Sequence, residues 1–258
     1  MTRNSLESLI RDLHRRRGRE RRGLALAEGV RLVEEALAAR VPIRGAVTSP
    51  SLEATARGKA LEAALRAAGV PVERVDDAAL AALADTEHPQ GVVAVVAPTV
   101  WTLEHVTLGA DGVVVVLDAV QDPGNVGTIL RTAHGLGAAA VVALPGTAEL
   151  TSPKTLRAGM GAFFRFPCIS TDTEAFFAWA SAHHVETWAT DAAGTPIAST
   201  RRSTGPLALV LGNEGAGVGE AVRVRAARQV AIPLRPGAES LNVAIAAAIL
   251  LYEVRRGG

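Results

Sequence analysis

"GVVVVLDAVQDPGNVGTILRTAHGLGAAAVVALP", residues 112–145, reads as strand, turn, helix and strand. Val113–Leu117 is an unbroken apolar run without polar alternation, which suits a strand covered on both faces of a parallel sheet. Asp122-Pro123-Gly124 then forms a turn, Asn125 is a candidate helix N-cap, and "VGTILRTAHGLG" has helical spacing before the next apolar run. Strand, helix and strand in this order make a unit of an open parallel sheet. Ligands of such sheets sit beyond the carboxyl ends of the strands, so the 118–125 loop is a candidate site.

The alternation continues downstream. "SPKTLRAGMGA" reads as helix, "FRFPCIS" as strand, "TEAFFAWASAHH" as helix, "VETWATD", "PLALVLG" and "RQVAIPL" as strands, and "SLNVAIAAAILLYEVRR" as a closing helix headed by polar residues. Upstream, "LALAEGVRLVEEALAAR" has helical periodicity, followed by strand "IRGAVTS", helix "EATARGKALEAALRAAG", strand "VPVERVD", a short helix "DAALAALADT" and strand "GVVAVVA". Residues 1–97 are therefore expected to hold a basic arm and a small α/β domain, residues 98–111 a linker, and residues 112–258 a larger α/β domain with a mainly parallel sheet.

With 48% hydrophobic and 21% charged residues, the 258-residue chain has the balance of a globular protein with a real core. No uninterrupted apolar run of ~18 residues occurs, and "MTRNSLESLIRDLHRRRGRERRG" has no signal-peptide core, so a soluble, cytoplasmic protein is expected with no membrane partner. The single cysteine, Cys168, excludes an intrachain disulfide and a Cys-clustered zinc site, and reads as a small buried apolar residue. The six His lack metal-ligand spacing, no metal is expected, and no G-x-S-x-G elbow occurs. Net charge is only +1, but the stretch from Arg3 to Arg22 has eight Arg against Glu7, Asp12 and Glu20. That cluster is either a phosphate-contacting arm or a solvated, frayed segment.

Three strand-end loops combine Gly with polar side chains. The first carries Asn125 and Arg131. The second, "LALVLGNEGAGVGE", runs from Leu211 into Gly212, Asn213, Glu214 and Gly215; it fits neither G-x-G-x-x-G nor the P-loop spacing, and a plain glycine turn explains it equally well. The third, "IPLRPGAESLNVAIAAAIL", brings a strand end at Ile232 through Leu234 to Ser240, Leu241 and Asn242 at a helix start. Ser240 and Asn242 there are N-cap candidates or ligand-facing groups.

In order, these loops resemble the three motifs of the SpoU (TrmH) family of RNA ribose 2′-O-methyltransferases, of the SPOUT class. "DPGNVGTILRTAHGLGA" is similar to the first motif, "LVLGNEGAGV" to the second and "IPLRPGAESLNVAIAAAILLYEVRR" to the third, with "SPKTLRAGMGAFFRFP" matching the segment between. The N-terminal stretches "LALAEGVRLVEEALAARVPIRGAVTS" and "TEHPQGVVAVVA" resemble the L30e-like substrate-binding domain of members that act on large-subunit ribosomal RNA. Where many relatives have Pro-Met after the third-motif strand, this chain has Pro233-Leu234.

The resemblance implies a SPOUT α/β knot: a C-terminal region threaded as a deep trefoil, against the usual rule of unknotted chains. It implies S-adenosylmethionine as cofactor, held by Leu211, Gly212, Asn213, Glu214, Gly215, Ile232, Leu234 and Leu241, and a homodimer whose site is completed near the subunit interface. The implied reaction is methyl transfer to a ribose 2′-hydroxyl of RNA, most readily 23S rRNA. Arg131 would favour the alkoxide electrostatically, because an Arg stays protonated. Asn125 and Glu214 would position the ribose and Arg131, and Ser240 and Asn242 would complete the pocket. Two rivals stand beside this reading. One is a transfer RNA methyltransferase, disfavoured because minimal members of that kind lack the L30e-like domain. The other is a knotted, non-catalytic RNA-binding or assembly factor, disfavoured by the intact polar residues.

Overall fold

The computed structural model describes residues 3–200, 204–238 and 240–256. The chain divides into two compact units, Met1–Val100 with Thr151–Arg165, and Trp101–Leu150 with Phe166–Gly258. The first unit begins with α1 (Arg3–Leu13), α2 (Arg16–Arg22), β1 (Ala25–Glu28), α3 (Val30–Ala38), β2 (Ile43–Thr48), α4 (Ala56–Ala67), β3 (Val72–Arg74), α5 (Asp77–Ala81) and β4 (Val92–Val96). The second begins with β5 (Val113–Leu117), α6 (Pro123–Gly135) and β6 (Ala140–Ala143). The chain then returns to the first unit for α7 (Pro153–Gly159), and completes the second with β7 (Cys168–Ser170), α8 (Thr173–Ala182), β8 (Glu186–Pro196), β9 (Leu207–Leu211), α9 (Glu220–Arg223), β10 (Arg228–Ala231) and α10 (Val243–Arg256).

The first unit has a mixed four-stranded sheet in the order β1-β4-β2-β3. The helix expected across "LALAEGVRLVEEALAAR" is a strand followed by a helix. Ala25–Glu28 are all buried and pair antiparallel with β4, and Gly29, at φ +93, breaks the chain before α3. An Ala/Leu run satisfies both periodicities, and partner strand β4 decides between them.

The Arg-rich segment is two helices, and α1 contributes Leu6, Leu9, Ile10 and Leu13 to the core of the unit. Arg19 is buried and donates to the carbonyls of Leu13 and His14 at 2.7 and 2.8 Å, closing the C-terminal end of α1. Asp12 accepts from Arg21 and Arg22, and the Arg22 hydrogen bond foremost holds its carboxyl below the ordinary range. The frayed reading is thereby overturned. Arg15 and Arg17 remain exposed, with no side-chain partner among the described residues.

The second unit is a six-stranded sheet in the order β10-β8-β9-β5-β6-β7, with every neighbouring pair parallel. All five residues of β5 and of β9 are buried, as continuous Val/Leu runs in a two-faced sheet require. Chain order reverses between these strands, because β5 leads by α6 to β6 on one side and β9 leads to β10 on the other. The crevice beyond their carboxyl ends is the topological switch point of the sheet. Cys168 is free and buried, and burial pushes its thiol pKa up. No helix among the described residues is long and apolar enough to cross a membrane.

Candidate active site

The loops after β5 and β9 meet at the switch point. Asp118 N donates to Leu211 O at 2.8 Å, and the buried Asp118 carboxylate accepts the Gly219 N–H at 2.7 Å. Asn213 ties the loops again through Nδ2 to Ala119 O at 3.0 Å. Its Oδ1 accepts the N–H groups of Gly215 and Ala216 at 2.9 and 3.0 Å, while its backbone exchanges two hydrogen bonds with Gly217. The result is a tight turn that presents Glu214. Glycine is required at its base, where a Cβ on Gly212 would lie 2.1 Å from the Gly217 carbonyl carbon.

A chain of amides reaches Glu214 from two helix starts. The cap of α6 is Asp122, whose side chain accepts the Asn125 N–H at 2.8 Å. Asn125, expected as the cap, therefore lies within the first turn with its side chain free for other work. Its Nδ2 donates to Glu214 Oε1 at 2.9 Å, and its Oδ1 accepts from Asn242 Nδ2 at 3.0 Å. Asn242 caps α10, with Oδ1 accepting Ala244 N–H at 2.9 Å and Ile245 N–H at 3.3 Å. Because those donors fix Asn242 Oδ1, its amide nitrogen must face Asn125, and the Asn125 amide nitrogen in turn must face the carboxylate. Capping and site-building are thus one arrangement.

Beside this relay lies a cavity of about 1030 Å³. Leu211, Gly212, Asn213, Glu214, Gly215, Ile232, Leu234 and Leu241 all line it, and so does Ser240. Asn125 and Asn242 reach it through Glu214. Arg131 is not brought to the relay: it is exposed on α6, its side chain without hydrogen bond or ion pair among the described residues. Sequence reasoning missed one wall. The pairing of β10 with β8 jumps from Gln229↔Ala189 to Val230↔Thr195, so the intervening residues bulge and put Thr190, Asp191 and Ala192 on the cavity. The stretch "TDAAGT" has turn-like composition, which is the one signal for that bulge. Among the described residues, no group of three or more His, Cys, Asp or Glu is placed to hold a metal.

Comparison with known proteins agrees with this geometry. Residues 112–252 match the SpoU rRNA Methylase family, and residues 8–94 match the MRM3-like substrate binding domain. The chain is 35% identical over 244 residues, 94% of its length and 93% of the relative's, to the 23S rRNA (guanosine(2553)-2′-O)-methyltransferase RlmP of Bacillus subtilis. It is 30% identical to the 23S rRNA (uridine(2479)-2′-O)-methyltransferase of Streptomyces viridochromogenes, over 95% of this chain and 86% of that one. The crystal structure of an AdoMet-bound rRNA methyltransferase from Sinorhizobium meliloti superposes with a TM-score of 0.86 at 32% identity, covering 99% of this chain and 96% of that one. The parallel sheet, the three loops at its switch point and these matches together make the chain a member of the SpoU rRNA methylase family.

Proposed function

We propose that the protein transfers a methyl group from S-adenosylmethionine to a ribose 2′-hydroxyl of 23S rRNA. The observation that carries this reading is the amide relay from Asn242 through Asn125 to Glu214, a residue of the cavity wall. The residues fit the cofactor: the cavity is large enough for a nucleoside ligand, and the glycine turn from Gly212 to Gly217 lines it mainly with backbone and small side chains. When bound, the cofactor supplies the electrophilic methyl group.

The chain's own residues supply position and electrostatics. A ribose hydroxyl is a weak nucleophile at neutral pH, so its proton must leave as it attacks. Glu214, its carboxylate oriented by Asn125, holds the ribose, and Ser240 completes the pocket wall. Arg131, exposed on α6 with no side-chain partner among the described residues, favours the alkoxide as a positive charge.

A homodimer belongs to the proposal. Ile245, Ile249 and Tyr252 are exposed at spacings of four and three residues along α10, with exposed Leu241 just before its start, an apolar stripe of the kind that marks an interface. α10 packs on α6, the helix that carries Arg131, and in this proposal a second copy seated on the stripe completes the site. The trefoil knot and the cytoplasmic location are proposed with the family assignment.

The test is transfer of labelled methyl to unmodified 23S, 16S and transfer RNA. Label on 23S RNA alone is expected, and Arg131→Ala should abolish it while cofactor affinity stays. Label on transfer RNA alone would replace the substrate assigned here.

A further inference from the structure

The bulge of β8 puts on the cavity wall a carboxylate with no part in the proposed transfer step. We propose that this residue, Asp191, makes the cavity select S-adenosylmethionine, a cation, over the net-neutral by-product S-adenosylhomocysteine. This rests on the reading of the cavity as the cofactor site.

The backbone holds the bulge firmly. Gly194 lies so close to β10 that a Cβ there would sit 2.7 Å from the Gln229 carbonyl carbon. One residue earlier, the Ala193 N–H donates to Asp191 Oδ1 at 2.8 Å, so the side chain closes its own turn. Asp191 is half-buried on the wall, and no hydrogen bond reaches its Oδ2 among the described residues. One oxygen of the carboxylate fixes the loop, and the other is left for a ligand.

The charges around the cavity give that oxygen its role. Among the described residues, Asp191, Glu214 and Glu220 line it against Arg223 and Arg235, a net formal charge of −1. Glu220 and Arg223 form an ion pair and cancel. The Glu220 hydrogen bond foremost, with the charge of Asp191 a lesser contributor, pushes the Arg223 guanidinium above its ordinary range. The charges left over are those of Asp191, Glu214 and Arg235, two negative and one positive. They are the complement, in sign and number, of a sulfonium, an ammonium and a carboxylate. Glu214 is engaged by Asn125, so Asp191 is the one wall carboxylate held neither by a cation nor by another side chain among the described residues.

Transfer removes the charge that this wall attracts. The C–S bond breaks with its electron pair left on sulfur, the O–C bond forms, and the hydroxyl proton is released. A negative wall therefore favours the singly positive cofactor and has no net attraction for the by-product. The effect is larger in a cavity partly screened from water than at an open surface. The same carboxylate thus helps the cofactor in and lets the by-product leave.

The test is calorimetric titration of the full-length protein and its Asp191→Asn and Asp191→Glu variants with S-adenosylmethionine and, separately, S-adenosylhomocysteine. The Asn side chain keeps an oxygen for the Ala193 N–H, so Tm should hold while the charge is lost. In Asp191→Asn, affinity for the cofactor should fall roughly tenfold and affinity for the by-product less than about twofold. Asp191→Glu should restore most of the difference, and added salt should narrow it more in the wild type than in Asp191→Asn. An equal loss for both ligands, or a loss for neither, would overturn selection by Asp191 and leave the cofactor site standing. Wild-type protein that binds neither ligand would overturn the cofactor reading together with the selection. The predicted selectivity in a protein that transfers no methyl to any RNA would support Asp191 and sink the catalytic reading instead.

Discussion

Asn242→Asp separates the two duties of Asn242. The carboxylate still accepts the Ala244 and Ile245 N–H groups, and a negative charge at a helix N-terminus adds about 0.3–1 kcal/mol, so α10 is retained or slightly strengthened. The bond from Nδ2 to Asn125 Oδ1 is lost, and two oxygens now face each other where they stood 3.0 Å apart as donor and acceptor. Asn125 turns to relieve this and withdraws its donor from Glu214. A hydrogen bond to a charged group contributes about 1.5–3 kcal/mol, and the exposure of Glu214 favours the lower end. At about 1.4 kcal/mol per tenfold, kcat/KM for methyl transfer should fall about tenfold or somewhat more. Asn242→Ala loses the cap as well, about 1 kcal/mol, or roughly 2–4 °C of Tm in a chain of this size. The assays are thermal unfolding, cofactor affinity and transfer kinetics on both variants. Asn242→Asp with unchanged Tm and unchanged kcat/KM would refute the relay.

Ile245→Asp places a charge in the exposed stripe of α10, and sedimentation should show it converting a dimer to a monomer that has lost transfer but keeps its fold; a wild-type monomer with full activity would remove the interface. Gly212→Ala forces a Cβ into the backbone at Gly217, so calorimetry should find cofactor binding weakened roughly fivefold to a hundredfold, since overpacking costs typically 1–3 kcal/mol. Removing the residues before Gly23 strips Leu6, Leu9, Ile10 and Leu13 from the core, each contributing about 1.5–3 kcal/mol, so the first unit should lose protection in hydrogen exchange. The cleaner electrostatic variant is Arg15→Glu with Arg17→Glu, which should reduce the salt slope of RNA binding by about two while Tm holds.

Much of the second unit was legible because its strands are continuous apolar runs bounded by Gly, Pro and Asn, and such runs read as parallel strands without ambiguity of face. The loops at the switch point were legible for the same reason. The first unit was harder. Ala25–Glu28 reads equally well as the start of α3, and only pairing with β4 makes it a strand. The Arg-rich segment hid its core residues, since Leu6, Leu9, Ile10 and Leu13 are helically spaced but outnumbered by charge. At the site, Asn125 passed for a cap because Asp122 three residues earlier is equally suited, and a contact to Glu214 across 89 residues leaves no local trace. The bulge of β8 was invisible because its register is set by β10, a strand that follows it by more than thirty residues.

The most direct measurement is to map the modified position. Unmodified 23S RNA is incubated with the protein and labelled S-adenosylmethionine, then cleaved with alkali, which spares the bond beside a 2′-O-methylated ribose. Label at one alkali-resistant position of 23S RNA is the predicted result. Cofactor bound without label on any RNA, or label released by alkali with unprotected ribose, would contradict it.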